Sequence, residues 1–305
     1  MVKSTSTLKL NTGMFIPQIG LGTWLSTEEE GYQAVLEALK LGYRHIDTAA
    51  IYKNEGSVGR AIKDSDIPRK EIFVTTKLWG TQQRDPLTAL EQSLERLGLD
   101  YVDLYLMHWP VPLKEPTEGE VITVPVNEDG SRAIDLDWDF IKTWELMQEL
   151  PKTGKAKAVG VSNFSVNNLE QLKASDKIHL TPAANQVESH PLLPQTELIN
   201  YCQSHGIVLE AYSPLGTSNS PFFKDERLLA IAEKYDASVA QVLINWGISR
   251  GIVLLPKSVN KNRIASNLKI IDLKPEDAEE VSKMYEKYGE KRLVAPNWGQ
   301  FPIFH

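Results

Sequence analysis

Four residues of the 305-residue chain combine types and positions that suit proton transfer. Asp47 and Tyr52 lie five apart across the small-residue gap of HIDTAAIYKNE, Lys77 ends the run IFVTTK, and His108 ends VDLYLMH. A free phenol ionises near about pH 10, too high for a good proton donor at neutral pH unless its anion is stabilised. A lysine ammonium within about 4–6 Å stabilises that anion, and each unit of lowering corresponds to about 1.4 kcal/mol. Lys77 is therefore expected to lower the Tyr52 pKa. A buried lysine tends to lose its own proton, and Asp47 beside it would keep it cationic. A neutral His108 would donate a hydrogen bond to a carbonyl oxygen and aim it at the tyrosine. The plainer alternative is a structural Asp47–Lys77 ion pair with a rim tyrosine and a core histidine. That alternative has to place all four residues on one face without a purpose.

A proton donor needs a partner that makes the oxygen basic, and no nucleophile with a neighbouring base is evident. Hydride would serve. No GxGxxG follows a strand; GLGT at 20–23 falls short of that fingerprint. In LLPKSVNKNRIASN, residues 254–267, Lys257, Ser258 and Asn260 open a helix and Arg263 follows one turn later. Helix amides with Lys and Arg make an anion site, and Arg also stacks on an adenine. A capped surface helix with solvated charges is the competing reading. Tyr212 offers a flat face to a nicotinamide ring.

The elements that must position these residues alternate. Short apolar runs at 19–22, 45–47, 72–76, 102–107, 156–161, 184–187, 208–212 and 252–255 are separated by helical patterns. In the first helix, Thr27 and Glu30 form a capping box, Ala34, Val35, Ala38 and Leu39 give an apolar face, and Gly42 ends it. Asp85-Pro86 starts another, with Leu87, Leu90, Leu94 and Leu97 as its stripe and Gly98 as its stop. About eight strand–helix steps without a Pro/Ser linker predict one α/β domain over 1–305, a (β/α)₈ TIM barrel rather than two doubly wound domains. Thr7–Leu10 and Met14–Pro17 flank Asn-Thr-Gly and predict a β-hairpin plugging the barrel's N-terminal end. Chemistry in such barrels collects at the C-terminal ends of strands, where the four residues fall. The 111–139 segment, rich in Pro, Glu, Asp and Gly, is predicted to lie over that face, and 216–225 to act as a lid. Residues 275–288 read as helix, and the aromatic tail RLVAPNWGQFPIFH as a cover for the barrel mouth.

Composition narrows the partners. A net charge of -7 with no basic run argues against nucleic acid or anionic membrane. The start lacks a signal-type apolar region, and no stretch reaches the roughly 18 apolar residues of a membrane helix, so a cytoplasmic protein is expected. Cys202 falls in an apolar stripe with Leu198 and Ile199 and reads as core. The six histidines show no HExxH or close ligand pair, so no metal is expected.

Taken together, GLGTW at 20–24, HIDTAAIYKNE at 45–55, TTKLW at 75–79, LYLMHWP at 104–110, GVSNF at 160–164, NQVESHP at 185–191, AYSPLG at 211–216 and LLPKSVNKNRI at 254–264 resemble the aldo-keto reductases of the aldose and xylose reductase type. The resemblance spans essentially the whole chain. It implies a catalytic tetrad of Asp47, Tyr52, Lys77 and His108. It implies that Gly22, Thr23, Asp47, Ser162, Asn163 and Gln186 border the nicotinamide and its ribose, with Tyr212 beneath the ring. Ser213, Leu215 and Gly216 would follow the pyrophosphate. Lys257, Ser258, Asn260 and Arg263 would receive the 2′-phosphate, and Asn267 the adenine. Two departures stand out: Ser266-Asn267 replaces the family's frequent Glu-Asn, and GTSNSPFF lacks the aspartate that latches a belt over the pyrophosphate. The cofactor expected is NADPH, with some NADH use left open. Trp24, Trp79, Trp109 and Trp298, with Tyr52 and His108, would line an apolar pocket for aldehydes and ketones carrying apolar or aromatic parts. The function implied is NADPH-dependent carbonyl reduction by a monomer, or alternatively a homodimer. Two rivals are a cofactor-binding barrel with a regulatory or structural role and an aldolase or isomerase using Lys77 in a Schiff base.

Overall fold

The apolar runs satisfy their backbone groups by pairing with one another in parallel. The computed structural model describes residues 2–3, 6–217, 220–299, 301 and 303–304. Eight parallel strands follow one another in sequence order: β1 (Leu21–Gly22), β2 (His45–Asp47), β3 (Phe73–Leu78), β4 (Val102–Met107), β5 (Ala156–Ser162), β6 (Ala184–Glu188), β7 (Val208–Tyr212) and β8 (Val253–Leu255). Parallel bridges Ile19–Leu254 and Gly22–Lys257 join the first strand region to the last and close the ring. Around that seam the Gly20 N–H donates to the Leu254 carbonyl at 2.9 Å and the Leu254 N–H to that of Gln18 at 2.9 Å. Only glycine fits at position 20, because a Cβ there would meet the His45 ring and the Leu255 side chain at 2.7 Å.

Helices cover the outside as the patterns require. The first, Glu28–Leu41, carries the expected Thr27/Glu30 capping box and ends at Gly42 in the left-handed region. Its buried face packs with Ile46, Val74 and Leu254 on the outside of the strands. The Pro86–Leu97 helix starts at Asp85, whose carboxylate accepts from the Thr88 N–H. Its stripe differs from expectation in one place: Leu87 is 38% exposed, and Ala89 and Ser93 take the buried positions. Helix was expected through 275–288; it is two pieces, Pro275–Ser282 and Met284–Tyr288, parted at Lys283.

Inside the barrel, Phe73, Leu104, Leu106, Val253 and Leu255 meet Leu10 and Ile16 from the N-terminal hairpin, which plugs that end. The buried Cys202 lies in the helix-covered layer, and burial pushes its thiol up to about 12, so it stays an inert core residue.

At the opposite end the long segment is tied down. The Trp79 indole donates to the Thr123 carbonyl at 2.5 Å, and the Thr81 hydroxyl to that of Val121 at 2.6 Å. Isolated antiparallel bridges Leu113–Ile134 and Val126–Arg132 pair the segment with itself. Of the lid expected over 216–225, Ser218 and Asn219 lie outside the described residues. Its second half is a turn, Pro221–Lys224, with Phe222 fully buried. Among the described residues, no helix is long and apolar enough to cross a membrane.

Candidate active site

Asp47, Lys77 and His108 stand at or just beyond the ends of β2, β3 and β4, and Tyr52 ends a short 3₁₀ turn, Ala50–Tyr52, after β2. The turn is pinned on its far side. The Asn54 amide donates to the Thr23 carbonyl at 2.9 Å and accepts from the Thr48 hydroxyl at 2.9 Å. Buried Glu55 accepts from the Thr76 hydroxyl at 2.5 Å and from Arg96 at 2.7 Å. Both residues hold the phenol in place from the loop that follows it.

Lys77 is fully buried, and its ammonium donates to both Asp47 oxygens, at 2.7 and 2.8 Å, and to the Thr48 carbonyl at 2.9 Å. All three of its hydrogens are thereby used. The Gln186 amide gives Asp47 a third hydrogen bond, at 2.8 Å. The Lys77 nitrogen lies 5.1 Å from the centre of the Tyr52 ring. This geometry corrects the expectation that Lys77 lowers the phenol's pKa. Burial, and secondarily the Asp47 charge, push Tyr52 well above its ordinary value. The phenol is held protonated.

His108 meets the Tyr52 ring edge-on at 5.7 Å and Trp79 at 5.4 Å, with Trp109 stacked at 6.5 Å. Burial, and then the Lys77 charge, hold it well below the usual imidazole range, so the ring is neutral. Its Nδ1 is buried without a partner. An unpartnered lone pair is better tolerated in the interior than an unpartnered N–H, which leaves Nε2 to carry the proton. Above the ring, Trp79, Trp109, Val111, Leu113 and Trp298 form a buried cluster joined by Phe301, Ile303 and Phe304, so the tail covers the mouth. Trp24 does not join this buried cluster and stands 43% exposed on the loop after β1.

The groove beside Asp47 gathers the remaining candidates. Asn163, in the left-handed region at φ 64°, donates through its amide to the His108 carbonyl at 2.9 Å and accepts from the Tyr212 hydroxyl at 2.8 Å. The Ser162 hydroxyl donates to the Gln186 carbonyl at 2.7 Å, and that of Thr23 to the Asp47 carbonyl at 3.0 Å. Ser213 and Gly216 both have positive φ, turning the chain away after β7 beside Leu215. Past β8, the Asn260 side chain caps the Lys261–Asn267 helix through the Arg263 N–H, the Ser258 hydroxyl accepts from the Asn260 N–H at 3.1 Å, and Asn267 is buried. Lys257 and Arg263 are exposed, and neither forms an ion pair among the described residues. A pair of free cations at one end, polar strand ends at the other and a tyrosine face between them fit a phosphorylated dinucleotide.

A profile of the aldo/keto reductase family matches residues 18–288. The chain belongs to the aldo-keto reductase family. It is 62% identical to glycerol 2-dehydrogenase (NADP(+)) of Saccharomyces cerevisiae, over 99% of this chain and 97% of that protein. Aldehyde reductase YPR1 of the same organism is 59% identical with the same coverage. The aldose reductase of Schistosoma japonicum superposes with a TM-score of 0.85 at 36% identity, covering 92% of each chain. Family membership brings NADP(H) as the cofactor.

This aldo-keto reductase also holds polar residues that motif reading passed over. Glu210, mid-way along β7, is fully buried with both carboxyl oxygens unpartnered, 3.9 Å from His45 Nε2. Its one sequence signal is a charged residue inside the apolar run VLEAY. Burial, then the Asp47 charge, push Glu210 up to about 8, and burial brings His45 down to about 4, so both are neutral at pH 7. A carboxyl whose pKa is raised by folding binds its proton more tightly in the native chain. Stability from this group is therefore present below the unfolded value near about 4.3 and lost as pH rises, by about 1.4 kcal/mol per unit, until the folded value is passed. Glu210→Gln removes that slope. Urea unfolding at several pH values between 5 and 8 should show wild type losing ground to the variant as pH rises; parallel curves would show that Glu210 is ionised in the fold.

Proposed function

We propose that Tyr52 is the proton donor in this aldo-keto reductase's NADPH-dependent reduction of aldehydes and ketones. The observation that carries the reading is the convergence of a protonated phenol and a neutral imidazole beneath an apolar wall. NADPH, held by the groove residues named below, would supply the hydride for the carbonyl carbon. His108 Nε2 donates a hydrogen bond to the carbonyl oxygen and aims it at Tyr52. The developing alkoxide is a far stronger base than a phenolate, so a phenol with a raised pKa still gives up its proton. Lys77, fixed by Asp47, supplies positive charge 5.1 Å from the ring that receives the negative charge. Trp79, Trp109 and Trp298 exclude water and favour substrates with apolar or aromatic parts.

The cofactor would be held by Gly22, Thr23, Asp47, Ser162, Asn163 and Gln186 around the nicotinamide and ribose, with Tyr212 beneath the ring. Ser213, Leu215 and Gly216 would follow the pyrophosphate, and Lys257, Ser258, Asn260, Arg263 and Asn267 the 2′-phosphoadenosine. The exposed Lys257 and Arg263 are what favours NADPH over NADH. Replacing both by alanine should cut kcat/KM for NADPH by about 10–100-fold, the worth of one or two charge-assisted hydrogen bonds, and leave NADH use within about twofold. Equal losses with both cofactors would remove these residues from phosphate recognition.

A further inference from the structure

Outside the catalytic group, another buried carboxylate joins separate parts of the mouth. Glu188, the last residue of β6, is fully buried. Its Oε1 accepts from the Leu293 N–H at 2.6 Å and lies 2.9 Å from His190 Nε2, and its Oε2 accepts from the Val294 N–H at 2.9 Å. Next to it the Lys291 N–H donates to the Leu192 carbonyl at 2.8 Å. Leu293 and Val294 lie in a stretch with neither helix nor strand, so their amides have no regular ladder to join. A carboxylate taken out of water needs such donors, and charge-assisted bonds to backbone N–H groups are the strong kind. Each side thus supplies what the other lacks.

The consequence is positional. Four residues beyond Val294, Trp298 packs on Trp109 at 5.3 Å, and Phe304 follows at 6.0 Å. Arg132 of the long loop stacks over Trp298 at 4.0 Å. On its other side Glu188 is paired in register with Tyr212, and the Ser189 N–H donates to the Tyr212 carbonyl at 3.3 Å. One residue therefore references the tail wall to the strand that carries the tyrosine face.

We propose that Glu188 is a positioning residue that sets the tail wall and, through it, the preference for bulky apolar carbonyl substrates. The inference rests on the reductase reading above. Its test uses full-length Glu188→Ala and Glu188→Gln with three readouts: amide hydrogen exchange over 291–304, the dissociation constant of NADPH, and kcat/KM for propanal and for 2-naphthaldehyde. In Glu188→Ala, tail amides should exchange at least about tenfold faster and kcat/KM for naphthaldehyde should fall about tenfold, through KM, as expected for loss of charge-assisted bonds. Propanal turnover and NADPH binding should stay within about twofold, since neither needs the wall. Glu188→Gln keeps one acceptor oxygen and should fall between; it also decides the matter if the alanine variant fails to fold. Unchanged exchange, or equal losses on both aldehydes, would overturn the proposal. If wild type reduced neither aldehyde, the reductase reading would fail, while unaccelerated tail exchange would separately sink the clamp.

Discussion

Tyr52→Phe is expected to fold, to bind NADPH as wild type does and to lose turnover. The change deletes one hydroxyl and keeps the ring that meets His108 at 5.7 Å and lies 5.1 Å from the Lys77 ammonium. What disappears is the proton delivered to the substrate oxygen, and a positioned general acid is worth about 10²–10⁴-fold in rate. The loss should fall on kcat, because the hydroxyl acts as the oxygen becomes basic and not while the carbonyl is merely bound. Burial and Asp47 hold the phenol protonated, so Tyr52 should impose no loss of wild-type reduction as pH rises through neutrality. Steady-state loss of NADPH absorbance, with cofactor affinity measured separately by fluorescence, checks each part. A kcat within about tenfold of wild type would remove Tyr52 as the acid.

Lys77→Met should have the second large effect, on both stability and rate. It removes three hydrogen bonds from a fully buried ammonium and leaves Asp47 with Gln186 as its remaining side-chain donor. Breaking a buried ion pair by removing one partner costs about 3–5 kcal/mol, since the other charge stays behind uncompensated. The double variant Asp47→Asn/Lys77→Met removes both charges and should regain a good part of that stability. It should not regain turnover, because the positive charge near the Tyr52 ring is still missing. Urea unfolding and kcat for the two variants separate a structural ion pair from a catalytic one. A loss below about 1 kcal/mol in Lys77→Met would mean that Asp47 is neutral or solvated in the fold. Recovered turnover in the double variant would show that Lys77 serves structure alone.

The barrel and the convergence of the four side chains were legible because polar residues interrupt otherwise apolar strands at the ends where loops begin. Asp47, Lys77 and His108 each follow such a run, and the hairpin, the capped helices and the tail over the mouth were readable from local patterns. What the sequence left hidden depends on where hydrogens and side chains point across the fold. The Tyr52 pKa turns on how deeply the fold buries the phenol and on the nearby Asp47 charge, which spacing along the chain does not encode. Glu210 and His45 share the barrel interior although they lie on strands far apart in sequence. Glu188 stood inside a recognised motif, yet its tail partners Leu293 and Val294 lie more than a hundred residues away. Trp24 adjoined a strand-end motif, and adjacency in sequence did not bring it into the buried cluster. Leu87 fell in register with its stripe, but the buried face runs through Pro86, Ala89, Leu90 and Ser93 and leaves Leu87 to one side of it.

The most direct measurement follows a label from cofactor to product. NADPH carrying deuterium at both C4 positions of the dihydropyridine ring is mixed with a saturating aromatic aldehyde and either wild type or Tyr52→Phe, and the alcohol formed in a single turnover is analysed by mass spectrometry. Wild type should place one deuterium on the former carbonyl carbon, and the variant should leave its bound cofactor intact over the same interval. Unlabelled alcohol from wild type, or labelled alcohol formed at the same rate by both proteins, would contradict it.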